Sequence, residues 1–255
     1  MSSRRLAFVA GLYASYISLV PAIVNMDNLH LQSYQQGFNG SADLMLSGTS
    51  GNTDTSLVSF DTQMQWNTGS AINLLLLGSD YGKSNGVRNV NKHFVHGRHI
   101  RPWLDNTDYE FFAQVEKNEF TRLSRRSLLG AGLRFNFTSG KNKLILGAGA
   151  FRSVEDIESG EGLTDEGIDE LTRGNFYILS RHPISKAVQL SQTLYYQPDT
   201  SNWSDYRILF EGDIVVKLNE TLDMKVSLDV AHDSEPPQTI EETDASLKVG
   251  IQFDF

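Results

Sequence analysis

Cysteine is absent from this chain, and so is any apolar run long enough to cross a bilayer as a helix. The first absence removes disulfides and thiol chemistry. The second excludes a helical membrane protein, which needs about 18 or more consecutive apolar residues. Positive charge is also scarce: 22 Lys and Arg stand against 31 Asp and Glu, a net charge of −9. That balance argues against nucleic acid as a partner. Bulk greasiness is missing too, with a mean hydropathy of −0.30. This does not exclude a membrane barrel, because half of each spanning strand is polar.

What the chain does have begins at its N-terminus. Arg4 and Arg5 precede the uncharged stretch Leu6 to Val20, and small residues follow around Val20-Pro21-Ala22. Residues 1–22 are therefore expected to be a secretory signal peptide. Residues 23–37, polar and featureless, are expected to be a periplasmic lead-in. From residue 38 on, alternating strands follow one another with turn formers between them and no helical period.

The last stretch is the clearest. Thr243, Ala245, Leu247, Val249, Ile251, Phe253 and Phe255 share one side; Asp244, Ser246, Lys248, Gly250, Gln252 and Asp254 share the other. The same pattern predicts strands over 38–47, 58–66, 72–76, 91–101, 109–116, 129–137, 144–151, 175–181, 188–196, 206–217 and 222–230. In 72–76, Ile72, Leu74 and Leu76 alternate with Asn73 and Leu75. The expected fold is an all-β, antiparallel, up-and-down transmembrane β-barrel over 38–255, of about twelve strands, closed between the first and last.

Three further patterns fit that barrel. Long connections (48–55, 79–89, 155–170, 198–204, 232–238) alternate with short ones around Asn67, Asn106, Gly140, Ser185 and Asn219, so short turns gather at the end holding both termini. Aromatics fall near strand ends, as two belts at headgroup depth would require: Phe38, Trp66, Tyr109, Phe137 and Phe255 at one end, Tyr81, Phe151, Tyr196 and Trp203 at the other. With the greasy side of each strand outward, Asp61, Glu110, Glu116, Arg134, Arg181, Arg207, Glu211, Asp213, Lys225, Asp229 and Lys248 point into the lumen, a charge load that a dry core could not hold unpaired. Gly130, Gly132, Gly147 and Gly149 point inward as well, allowing wall curvature or room for large side chains opposite.

Several short segments carry a resemblance. Ser50-Gly51-Asn52-Thr53-Asp54, the strand opening Tyr206-Arg207-Ile208, and Asp233-Ser234-Glu235-Pro236-Pro237 before a final aromatic-ended strand resemble the salt-induced outer-membrane protein family (YdiY-like), a domain of unknown function. The resemblance covers about residues 38–255. It implies an outer-membrane barrel and assigns no chemistry, so it supplies no catalytic residue.

Catalytic groups are not evident. A lipase barrel would set His and Ser on one strand face with a polar partner, and none of His93, His96, His99 and His182 has Ser two residues away. His93 and His99 share a strand face that His96 does not, so three-ligand metal geometry fails locally. The acidic segment 155–170 lacks the spacing of a calcium loop. A solvated mobile loop is expected there, with divalent-cation bridging to lipopolysaccharide phosphates as the sharper alternative. The chain is thus expected in the bacterial outer membrane, as a non-enzymatic barrel without cofactor or metal: a small, weakly selective pore or a structural barrel. The alternatives are a barrel-embedded envelope enzyme and a soluble periplasmic ligand-binding β protein. Expected partners are outer-membrane lipid, lipopolysaccharide and the barrel-assembly machinery, the last reached through the strand ending in Phe255.

Overall fold

The computed structural model describes residues 36–51 and 54–255. The expected signal peptide and all but the last two lead-in residues lie outside that range.

Among the described residues, alternation produces twelve antiparallel strands. In chain order they are β1 (Gly37–Thr49), β2 (Thr55–Asn67), β3 (Ile72–Ser84), β4 (Val87–Leu104), β5 (Thr107–Asn118), β6 (Leu123–Ser139), β7 (Asn142–Ile157), β8 (Gly167–Pro183), β9 (Val188–Pro198), β10 (Tyr206–Lys217), β11 (Leu222–Asp233) and β12 (Thr243–Asp254). Each pairs with its chain neighbour, and β1 pairs with β12, so the sheet is a closed barrel. The seam runs from Ser41↔Asp254 to Leu46↔Val249. Gly40 and Phe255 extend it by exchanging backbone hydrogen bonds of 2.7 and 2.9 Å. Closure leaves no edge to template aggregation.

Period-2 alternation then sorts the side chains. On β11, Asp223, Lys225 and Ser227 are buried while Met224 and Leu228 are exposed. The outer wall shows Leu44, Phe60, Phe111, Leu129, Ile178, Leu194, Ile214, Leu247 and Val249 to the surroundings. The inner face holds the polar residues, together with two apolar clusters. One joins Phe112, Leu128, Ile145, Phe151, Tyr177, Leu179 and Tyr195. The other joins Ile72, Leu74, Leu76 and Ile100.

That second cluster corrects the sequence expectation. Ile72, Leu74 and Leu76 face inward, and Asn73, Leu75 and Leu77 face outward. Residues 74–77 are all leucine, so alternation cannot choose a side there. The polar residues beyond decide, since Asp80 and Ser84 follow in phase and are buried.

Three other expectations also change. The loop expected over 79–89 is strand on both sides of a two-residue turn, Asn85-Gly86. Both turn residues have positive φ, 49° and 79°, the mirror-image turn that suits hairpin twist. The acidic segment 155–170 shrinks to a loop over 158–166, because its two ends pair as β7 and β8 from Glu155↔Asp169 to Ile157↔Gly167. Phe151 is no belt residue. It points inward and packs edge-on against Phe112.

The rim holding the ends of β1 and β12 is here the lower rim, and the opposite one the upper rim. The lower turns span 68–71, 105–106, 140–141, 184–187 and 218–221. Phe38, Trp66, Phe137 and Phe255 are exposed near the lower rim.

Candidate functional site

The lumen is the most chemically dense region of the chain. The strands place Asp61, Glu110, Glu116, Arg134, Arg181, Arg207, Glu211, Asp213, Lys225, Asp229 and Lys248 on its inner face. They bring most of them into ion pairs, with partners that sequence reasoning missed.

Near the upper rim a chain of guanidinium and carboxylate groups runs across the wall. Arg126 reaches Glu116 at 2.6 Å and Glu155 at 2.9 Å. Arg207 then bonds Glu155 at 2.8 Å and Asp233 at 2.7 Å. The chain links β5, β6 and β7 to β10 and β11. In the middle, Glu110 takes Arg98 at 3.1 Å and Arg134 at 3.5 Å. The Tyr177 hydroxyl donates to Glu110 at 3.0 Å, so β8 is tied to β5. The Arg98 guanidinium lies over the rings of Phe112 and Tyr177. Toward the seam, Lys225 bonds Asp43 at 2.8 Å and approaches Asp213 at 3.5 Å. Lys248 stands 3.6 Å from Asp80 and 3.4 Å from Asp229, joining β12 to β3. Nearer the lower rim, Arg181 donates to Gln189.

Glycine makes room for this filling. A Cβ on Gly147 would lie 2.0 Å from the Tyr177 ring, and one on Gly130 would lie 2.3 Å from the Phe112 ring. Both large rings occupy space that their neighbours vacate. Gly132 and Gly149 instead let two backbones approach, since a Cβ on Gly149 would lie 2.3 Å from the Ala131 carbonyl.

The arrangement suits a filled interior better than a ligand site. Glu110 is 1% exposed, Arg134 2% and Asp213 0%. A lone charge buried this deeply costs several kcal/mol, and pairing offsets it. One cavity of about 140 Å³ opens at the lower mouth between Asn67, Ala71, Ile72, Ile100, Pro102 and Asp108. Another of about 20 Å³ lies under Pro236-Pro237, beside Arg126 and Arg207. Both fall short of the roughly 300 Å³ at which ligand pockets begin. Among the described residues, no group of three His, Asp or Glu is placed to hold a metal ion.

The signal for the missed partners was partly present. Asp43 and Asp80 continue the alternation of their strands. Glu155 was concealed because the acid-rich run around it reads as loop. Within that run Glu155 belongs to the lumen, and Asp165 pairs with Arg122 at 2.8 Å. Of the histidines, His96 faces inward and bonds Gln114 at 2.8 Å. His93 and His99 face outward, His99 against Asn73 at 2.8 Å.

The family model described as "Protein of unknown function, DUF481" matches residues 42–255. No curated protein matches the chain significantly in sequence. The translocator domain of the autotransporter NalP from Neisseria meningitidis aligns with a TM-score of 0.48 and 13% identity, over 89% of this chain and 91% of that one. An anion-selective porin from Comamonas acidovorans aligns at 0.42 and 11%, over 86% and 99%. The KdgM porin aligns at 0.43 and 14%, over 86% and 99%.

Proposed function

The chain belongs to the DUF481 family, whose function is unknown, and from that premise we propose an outer-membrane barrel with a sealed lumen. The observation that carries this reading is the side-chain bridging of non-adjacent strands. Arg207 to Glu155, Tyr177 to Glu110 and Lys248 to Asp80 each span the interior between strands that are not neighbours. The membrane part is supported by the outer wall, where Leu129 is 69% exposed, Leu247 61% and Phe111 53%. A soluble monomer rarely shows a contiguous apolar patch beyond a few hundred Å². In a bilayer the same wall is solvated by acyl chains. The upper rim faces outward from the cell, and lipid and lipopolysaccharide cover the wall.

Such a protein does its work on its wall and rims rather than by open diffusion. Planar-bilayer recording tests this. The wild-type chain is expected to show no steady open conductance, and Arg98→Ala combined with Glu110→Ala is expected to introduce one. Stable wild-type conductance steps would instead restore the reading as a small-solute pore.

A further inference from the structure

On β3 the residues Ile72, Leu74 and Leu76 turn inward, and toward the upper end of β3 and β4 the outer wall carries polar groups in an ordered row. Ser79 and His93 are direct cross-strand partners. The Ser79 hydroxyl lies 3.0 Å from His93 Nδ1, and His93 Nε2 lies 3.0 Å from Asn91 Oδ1. The Asn91 amide nitrogen donates to Glu119 at 2.7 Å, and Arg88 pairs with Glu119. With its nitrogen committed to Glu119, Asn91 turns its oxygen to His93. In the neutral ring that puts the proton on His93 Nε2 and leaves Nδ1 to accept. The Ser79 proton therefore faces an unprotonated imidazole nitrogen that is oriented by a third residue. Lys117 is the cross-strand partner of His93 on β5 and shares its outward face.

We propose that Ser79, His93 and Asn91 form an acyl-ester hydrolase site on the outer wall, taking the ester-linked acyl chain of a membrane lipid. The proposal rests on the membrane reading above. Its geometry is that of nucleophile, base and orienting group, and its place selects the substrate. On one side of it along the strands lie Leu77, Val95 and Val115, and on the other Tyr81, Asn91 and Lys83. An apolar-to-polar margin on a barrel wall lies where the ester carbonyls of a lipid sit. Mutual satisfaction of chance polar residues would explain the hydrogen bonds alone. It does not explain why polar groups, which are costly against lipid, stand here while Leu, Val and Phe fill most of the wall.

The chemistry closes. Ser79 Oγ adds to the ester carbonyl carbon as its proton passes to His93 Nδ1. The carbonyl electron pair moves onto oxygen, toward the Lys117 ammonium. Collapse breaks the bond to the lipid's alkoxy oxygen, which takes the proton from His93 and leaves as an alcohol. Water, deprotonated by His93, then adds to acyl-Ser79, and the carboxylic acid departs with Ser79 restored. Ser79 and His93 are the catalytic residues; Asn91 is a positioning residue. Sequence inspection passed over the site because it sought serine on the histidine's own strand, whereas Ser79 sits across the hairpin.

The test uses the full chain inserted in phospholipid vesicles, with a fluorogenic acyl-ester phospholipid and a fluorophosphonate probe. The wild type is expected to hydrolyse the ester and to carry the probe on Ser79. Ser79→Ala and His93→Ala are each expected to lose at least about a hundredfold in turnover, and Ser79→Ala to lose the label. Asn91→Ala is expected to lower kcat about tenfold with KM unchanged, a split that a merely structural role would not give. All variants should keep the heat-modifiable gel migration of a folded barrel. A folded, vesicle-bound wild type that neither labels at Ser79 nor exceeds Ser79→Ala in turnover overturns the site. A folded chain that does not float with vesicles overturns the membrane reading, and the site with it.

Discussion

Glu110 shows most plainly how single residues hold the interior. It receives two guanidinium groups and a phenol while almost wholly withdrawn from solvent. Glu110→Ala is expected to destabilise the barrel by about 3–5 kcal/mol, because Arg98 and Arg134 then lose their shared counter-charge. Tyr177→Phe removes one hydrogen bond and keeps the ring, so about 1 kcal/mol is expected. Urea unfolding in vesicles distinguishes the two. Gly250 acts by absence. A Cβ there would lie 2.2 Å from the Leu44 carbonyl and 2.7 Å from the Met45 Cα, and backbone cannot swing away as a side chain can. Gly250→Ala is expected to loosen the β1–β12 seam, costing about 1–3 kcal/mol and lowering the temperature at which gel migration shifts.

Among the elements, three of the upper connections are tied to one another. Arg122, between β5 and β6, holds Asp165 at 2.8 Å and the Glu158 carbonyl at 2.7 Å. Asp165 also accepts from the Gln238 backbone at 2.6 Å, so three connections share one clasp. The Gln238 N–H, and with it the Arg122 guanidinium, holds the Asp165 carboxyl below its ordinary value of 3.8. The sign follows: with a depressed folded value, the clasp is fully formed above pH 3.8 and is lost as pH falls through that lower value. Protease cutting within 158–166 is expected to rise in that acid range with an acid-active protease. At neutral pH it is expected to rise in Asp165→Asn.

This scale also shows where the sequence was legible. Strands with one greasy side, such as β10, β11 and β12, could be read directly, because contrast between faces sets the phase. The ends of β3, β4, β7 and β8 could not, because Asp80, Lys83, Glu155 and Asp169 look like loop when both faces are polar. The β3 leucines were ambiguous for the opposite reason, having no contrast at all. Ion-pair partners on non-adjacent strands, such as Arg207 and Glu155, depend on how the sheet curls, which no local pattern encodes.

For the whole molecule, inside and outside obey opposite rules, and one substitution type separates them. Val249, on the outer wall of β12, is expected to cost about 2–4 kcal/mol as Val249→Arg if it lies at bilayer mid-depth. Its inward neighbour Lys248 already carries a cation with two carboxylate partners. Measured side by side in vesicles, the outer change should hinder insertion.

The inverted lower half of β3 then gives the barrel a flank unlike the rest of its circumference. Between Asn73 and Ser79 the outward row offers only Leu75 and Leu77, whereas on β11 it runs through Leu222, Met224, Val226, Leu228 and Val230. A shorter oily stretch on one side is met by thinning of the adjacent bilayer. In the membrane proposed above, acyl chains beside that flank are expected to be compressed and splayed while those on the opposite side are not. The surrounding membrane is thus expected to be dented on one bearing, which would steer neighbouring lipids toward Ser79 and give the protein a preferred rotational orientation beside any companion in the plane.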